Sequence, residues 1–164
     1  MSEMVDIFQV LKEWDSPYEK QEHEAIFSEE DSKDVVINLE GTDVKNLFVK
    51  DKNKNYGLVS MDLHKRADLK KIAEQFGFGR LSFCNPDELM QYLNITPGSV
   101  TPLCIMFDTE RKVKILYDQN FEGKKVIIHP LRNTASISIS FEDLKRFTEH
   151  FGHTWQLGDI YKNE

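Results

Sequence analysis

The sequence predicts an α+β fold, a single domain on a curved mixed β-sheet or partly closed barrel flanked by helices. Three observations carry this expectation. About seven or eight short apolar or alternating segments are interleaved with four of helical period. Turn residues punctuate them, with neither an internal repeat nor a Pro/Gly/Ser-rich linker. The 164 residues fit one domain and bury a core of useful size.

The elements follow in order. Ile7, Phe8, Leu11 and Trp14 share a helical face, so a first helix runs near 4–14 and ends at Ser16-Pro17. Residues 18–32 are polar and acidic, with one apolar anchor at Ala25-Ile26-Phe27. Strands are expected at 34–39 and 45–50, the second joined to 56–61 by the polar hairpin loop Asp51 to Asn55. Leu69, Ile72, Ala73 and Phe76 mark an amphipathic helix closed by Gly77. A short strand, Arg80 to Phe83, leads to Asn85-Pro86, an N-cap and first-turn proline for a helix reaching Leu93.

Leu103 to Phe107 is continuously apolar and is expected as a strand buried on both faces. Asp108 to Lys112 turns the chain into a strand over 113–117. Val126 to Ile128 and Ala135 to Ile139 read as strands flanking the loop that starts at His129. Ser140, with Asp143 three residues on, opens a last helix that turns Leu144, Phe147 and Phe151 inward.

Composition narrows the function. Apolar residues make up 40% and charged residues 30%, and no run approaches the roughly 20 apolar residues that span a bilayer. The start, Met1-Ser2-Glu3-Met4, lacks a basic-then-apolar signal pattern, and Cys84 and Cys104 follow no metal or redox spacing. A reduced, cytoplasmic setting without a membrane is therefore expected. His150 and His153 lie close in sequence without a third ligand, which reads as a surface pair; no metal site and no cofactor are expected.

The net charge of −7 argues against a general nucleic-acid binder. Basic residues nonetheless cluster at Lys45, Lys50, Lys52 and Lys54, then at His64, Lys65, Arg66, Lys70 and Lys71. The plain reading is solvated faces; the sharper one is a small basic rim touching only an RNA end.

Two loops stand out. Pro97-Gly98-Ser99-Val100-Thr101-Pro102 places bare backbone where a ligand can approach closely. His129-Pro130-Leu131-Arg132-Asn133-Thr134 supplies groups that donate, accept and exchange protons. Such a site would be built mainly from backbone.

With Val44-Lys45-Asn46-Leu47-Phe48-Val49-Lys50-Asp51 and Arg66-Ala67-Asp68-Leu69-Lys70, these loops resemble, in order and spacing, the YbaK/ProX family of aminoacyl-tRNA deacylases. The likeness is to its free-standing ProX-type (PrdX) members, whose domain is also inserted in bacterial prolyl-tRNA synthetases for editing. It implies a YbaK/ProX-type domain over 1–164, with an N-terminal helix at 1–20, the family core at 21–150 and a tail at 151–164.

The resemblance assigns catalysis to Lys45, Gly98 and His129, and substrate binding to Asn46, Ser99, Val100, Thr101, Pro102, Asn133 and Thr134. Lys50, Lys65 and Arg66 would contact tRNA. The implied partner is the acceptor end of tRNA(Pro), with prolyl-tRNA synthetase a further candidate, and the protein would act as a monomer. The implied reaction is trans-editing of mischarged tRNA(Pro), most simply Ala-tRNA(Pro), by water attack on the aminoacyl ester in a pocket that excludes proline. Cys-tRNA(Pro) is the rival substrate, and a non-catalytic module binding aminoacyl-tRNA or a synthetase is the rival class. Many relatives carry phenylalanine-glycine where this chain has Leu103-Cys104, a difference that bears on amino-acid preference.

Overall fold

The computed structural model describes residues 7–25, 36–97 and 99–162. Its elements are α1 (Ile7–Glu13), β1 (Glu19–Glu22), β2 (Thr42–Lys50), β3 (Tyr56–Asp62), α2 (Leu69–Phe76), β4 (Ser82–Phe83), α3 (Pro86–Leu93), a 3-10 helix (Pro102–Phe107), β5 (Val113–Asp118), a 3-10 turn (Gln119–Phe121), β6 (Lys125–Ile128), β7 (Ala135–Ser140), α4 (Phe141–His150) and β8 (Trp155–Gly158). Among the described residues, eight strands form one mixed sheet in the order β1-β7-β6-β2-β3-β5-β8, with β4 also against β2. This is the expected mixed sheet flanked by helices.

Alternation along the β2–β3 hairpin feeds two cores. Phe48, Tyr56 and Leu58 face the larger one, with Leu89, Leu93, Leu103 and Ile105. Val49, Val59 and Met61 face the smaller one, against Ile72 and Phe76 of α2. Gly57 permits that approach, since a Cβ there would lie 2.6 Å from the Phe76 ring. The expected caps form, Ser140 accepting a first-turn amide and Asn85 making a capping box with Glu88; Asp68 caps α2 as well.

The structure corrects the expected strand at Leu103 to Phe107, which is a 3-10 helix. Thr101 is its N-cap and Pro102 its first residue, while Cys104 N–H donates to the Thr101 carbonyl at 3.1 Å. An apolar run buried on all sides suits a core helix as well as a strand, so its pattern could not separate them. Of the candidate strand 34–39, residues 34 and 35 lie outside the described residues, as do Ile26 and Phe27. Residues 36–39 form no ladder; the Gln21 side chain donates to the Val36 carbonyl and accepts from Asn38 N–H, both at 2.7 Å.

Two strands escaped the sequence reading. β1 pairs Glu19–Glu22 with Ser138 to Ala135 of β7, and β8 pairs Trp155 to Gly158 with Ile115 to Asp118 of β5. Both are short sheet edges with mostly solvated side chains. His153 is also corrected, being buried rather than on the surface. Its Nε2 donates to the Ile105 carbonyl at 3.1 Å, and burial lowers its pKa.

Candidate functional site

The edge of β2 facing away from β3 is interrupted. Pairing with β6 ends at Asp43↔Ile127, and pairing with β4 begins at Val49↔Phe83. Between them, residues 44–47 have no strand partner on that edge among the described residues. The Pro97–Thr101 loop reaches this opening: Asn46 Nδ2 donates to the Val100 carbonyl at 3.1 Å, and Asn46 Oδ1 accepts from Ser60 Oγ at 2.6 Å.

α3 sets where that loop begins. Lys50 Nζ lies 2.7 and 2.8 Å from the two Glu88 carboxylate oxygens, and the Tyr56 hydroxyl donates to Glu88 at 3.2 Å. Asn94 then ends the helix in the left-handed conformation. Lys50 is therefore engaged in an ion pair inside the fold, where the sequence placed it on RNA. Lys65 and Arg66 are exposed on the turn after β3, at the opposite end of the hairpin. Six residues of strand, about 20 Å, separate the two ends, so the expected basic rim is not continuous.

His129 immediately follows β6. Because Asp43 is in register with Ile127, alternation puts Lys45 and His129 on one side of the sheet. Lys45 is half-buried, and its ammonium has no partner among the described residues. His129 Nδ1 lies 3.0 Å from the Ala135 carbonyl, which can only accept, so Nδ1 carries the proton and Nε2 presents a lone pair. Burial holds its pKa below the usual imidazole value, favouring the neutral ring.

The loop beyond His129 is tied to β1. Arg132 forks onto Glu22, each guanidinium nitrogen 2.8 Å from a carboxylate oxygen, and Arg132 also donates to Thr134 Oγ1 at 2.8 Å. The His23 amide donates to the Thr134 carbonyl at 2.9 Å. Thr134 thus secures the loop, and Asn133 is half-buried beside it. Leu131 takes φ 68°, a conformation unusual for a branched residue, at the turn of the loop.

The sequence reading missed His23. Its ring lies 6.1 Å from that of His129, and its Nε2 is 2.8 Å from Ser136 Oγ. Its partners come from β7 and the His129 loop, more than a hundred residues away, so no local pattern marks it.

The other expected residues belong to this loop or to the 3-10 helix that follows it. Gly98 lies outside the described residues, so the loop is described by its neighbours. Ser99 is half-buried, its amide donating to the Thr96 carbonyl at 3.2 Å. Thr101 and Pro102 are buried as cap and first residue of the 3-10 helix. Cys104 Sγ donates to the Thr101 carbonyl at 2.7 Å, and burial pushes both cysteine thiols up to about 12. An open concavity of about 620 Å³ beside Glu40, Lys125 and Ser140 lies at the far end of β2 and β6 and shares no residue with this opening.

Residues 23–147 match the family described as the aminoacyl-tRNA editing domain. The chain is 32% identical over 141 residues to the prolyl-tRNA editing protein ProX of Acetoanaerobium sticklandii, across 85% of this chain and 86% of that one. It is 35% identical over 148 residues to the prolyl-tRNA synthetase associated domain-containing protein 1 of Bos taurus, across 87% and 86%. Among solved structures, the hypothetical protein APE2540 superposes with a TM-score of 0.72 over 96% of this chain and 100% of its own, at 17% identity.

Proposed function

The chain belongs to the aminoacyl-tRNA editing domain family, and from that membership we propose that it deacylates mischarged tRNA(Pro) in trans, with alanine the favoured amino acid. The names of the prolyl-tRNA editing and synthetase-associated relatives support tRNA(Pro) as the RNA and prolyl-tRNA synthetase as a partner. The observation that carries the reading is the interrupted edge of β2. There the loop anchored by Asn46 meets one face of β2, and an unpaired half-buried lysine and a histidine that burial keeps toward the neutral form share the other.

The scissile bond is an activated ester, so orienting a water and stabilising an oxyanion suffice. In this reading water oxygen bonds the ester carbonyl carbon, the bond to the ribose oxygen breaks, and the water proton passes to the leaving oxygen. His129 Nε2 can accept that proton or hold the water. Lys45 pairs with phosphate or ribose oxygens of the terminal nucleotide, and the Gly98 loop supplies backbone groups for the aminoacyl carbonyl or amine. With both thiols protonated, the cysteines offer no nucleophile.

Rejecting proline depends on size, since one methylene is worth only about 1–3 kcal/mol in binding. A second site too small for proline separates the two. The test measures hydrolysis of Ala-, Cys-, Ser- and Pro-tRNA(Pro) by the purified protein. Alanine should be released fastest and proline left in place. Faster release of cysteine would reassign the substrate, and release of none would leave a binding module.

A further inference from the structure

We propose that His23 is a second histidine of this site, a positioning residue that keeps His129 in the neutral form with its Nε2 lone pair free. The geometry starts from hydrogen bonds that permit one proton arrangement. His23 Nδ1 lies 2.7 Å from the Glu24 carbonyl, which can only accept, so this nitrogen carries a proton. In the neutral ring Nε2 is then the acceptor for the Ser136 hydroxyl at 2.8 Å. A hydroxyl both donates and accepts, so Ser136 also serves the protonated ring by turning its hydrogen away. His23 can take up a proton without losing either contact.

His129 has no such freedom. Its Nδ1 is committed to the Ala135 carbonyl, and Nε2 has no acceptor among the described residues. The two rings are 6.1 Å apart, tilted by 60°, close enough that a charge on one opposes a charge on the other. Protonating His23 therefore holds His129 neutral as the pH falls, in the direction in which burial already acts.

The charged groups around the pair do not offset this effect. Glu22 on β1 is neutralised by Arg132 of the following loop and by Lys20. On β2, Asp43 and Lys45 stand on the His129 side of the sheet with opposite charges, and Asp43 is also 3.7 Å from His64. Ser136 and Ser138 of β7 are uncharged. The backbone bond from His23 N–H to Thr134 survives any substitution of the ring, so side-chain variants separate its electrostatic role from its role in the loop.

The consequence for catalysis rests on the deacylase reading, but the test does not need a substrate. The titrations of His23 and His129 are followed by the ring C–H resonances of the whole protein. In the unaltered protein the His129 resonance should move in two steps, one of them shared with His23, as coupled groups do. In His23→Gln, which keeps an acceptor for Ser136, His129 should titrate in one step. Its midpoint should rise by about half a pH unit, the effect of unit charges this far apart in a water-like dielectric.

Ser136→Ala, a small change in a buried position, frees the His23 ring and should shrink the step the two histidines share. The acid limb of deacylation in His23→Gln should move up with the His129 midpoint. The loss should be about threefold at its foot and absent at pH 8, because half a unit is about a factor of three. A single-step His129 titration in the unaltered protein, or an unmoved midpoint in a folded His23→Gln, overturns the proposal. Absence of hydrolysis on every charged tRNA would instead overturn the deacylase reading and leave the titrations to be judged alone.

Discussion

The amide of Asn46 holds the carbonyl of Val100 across the interrupted edge of β2, and does so in a fixed orientation. Its oxygen is already taken by the Ser60 hydroxyl, so its nitrogen must face the loop. The loop position thus depends on one side chain whose own orientation is set by a neighbouring strand.

Replacing Asn46 by alanine should lower single-turnover deacylation by at least about tenfold, about 1.4 kcal/mol in the barrier. It should also cost about 1–3 kcal/mol of stability, because the buried Ser60 hydroxyl loses its acceptor. Ser60→Ala keeps the amide but removes the bond that fixes its orientation, so it should lose less activity than Asn46→Ala. Equal losses in the two variants would show that the amide matters for packing alone.

Lys45→Ala should reduce deacylation strongly and leave thermal unfolding within about 0.5 kcal/mol of the parent. No partner among the described residues depends on its ammonium. Activity within about twofold of the parent, a difference of about 0.4 kcal/mol, would remove Lys45 from the site.

The separation of the basic residues makes a distinct prediction for RNA binding. With only a few cations available, log K against log[salt] should have a slope near −2, about two or three phosphate contacts. Reversing Lys65 and Arg66 to glutamate should weaken tRNA binding without slowing hydrolysis of a minimal aminoacyl ester. Lys50→Ala should instead lower the melting temperature, since it strips Glu88 of its ion pair. A steep slope, or tRNA affinity insensitive to the double reversal, would put the RNA on another face.

The cysteines should behave as packing groups. With both thiols raised to about 12 by burial, alkylation at pH 7 should be slow in the folded protein and fast once it unfolds. Cys104→Ala and Cys84→Ala should keep their activity. A thioester trapped on Cys104 would demand a nucleophilic mechanism.

Much of this architecture was legible because local chemistry and tertiary role agree. Asn85-Pro86 and Ser140 announce helices that form where they point, and the Asp51–Asn55 loop announces the hairpin. Asp51 shows why: its carboxylate accepts from Asn53, Asn55 and Gly79, which lowers its pKa to about 2. Two features resisted. The apolar run at Leu103 carries no period, so its helix is declared only by the Thr101-Pro102 cap in front of it. β1 and β8 are edges whose side chains meet water, and nothing in their composition reveals a strand. Of the site, Lys45, Asn46 and His129 were readable as motif positions. The engagement of Lys50 with Glu88 and of His23 with Ser136 depends on contacts between segments distant in sequence.

The tie between β1 and the His129 loop also orders events during synthesis. Glu22 emerges more than a hundred residues before Arg132, Thr134 and Ser136. The histidine loop cannot take its final position until the first strand is met by the seventh. A ribosome-bound chain lacking β7 would therefore have Lys45 and the Gly98 loop but no assembled centre. Under the proposed deacylase reading, activity should begin only once β7 has emerged.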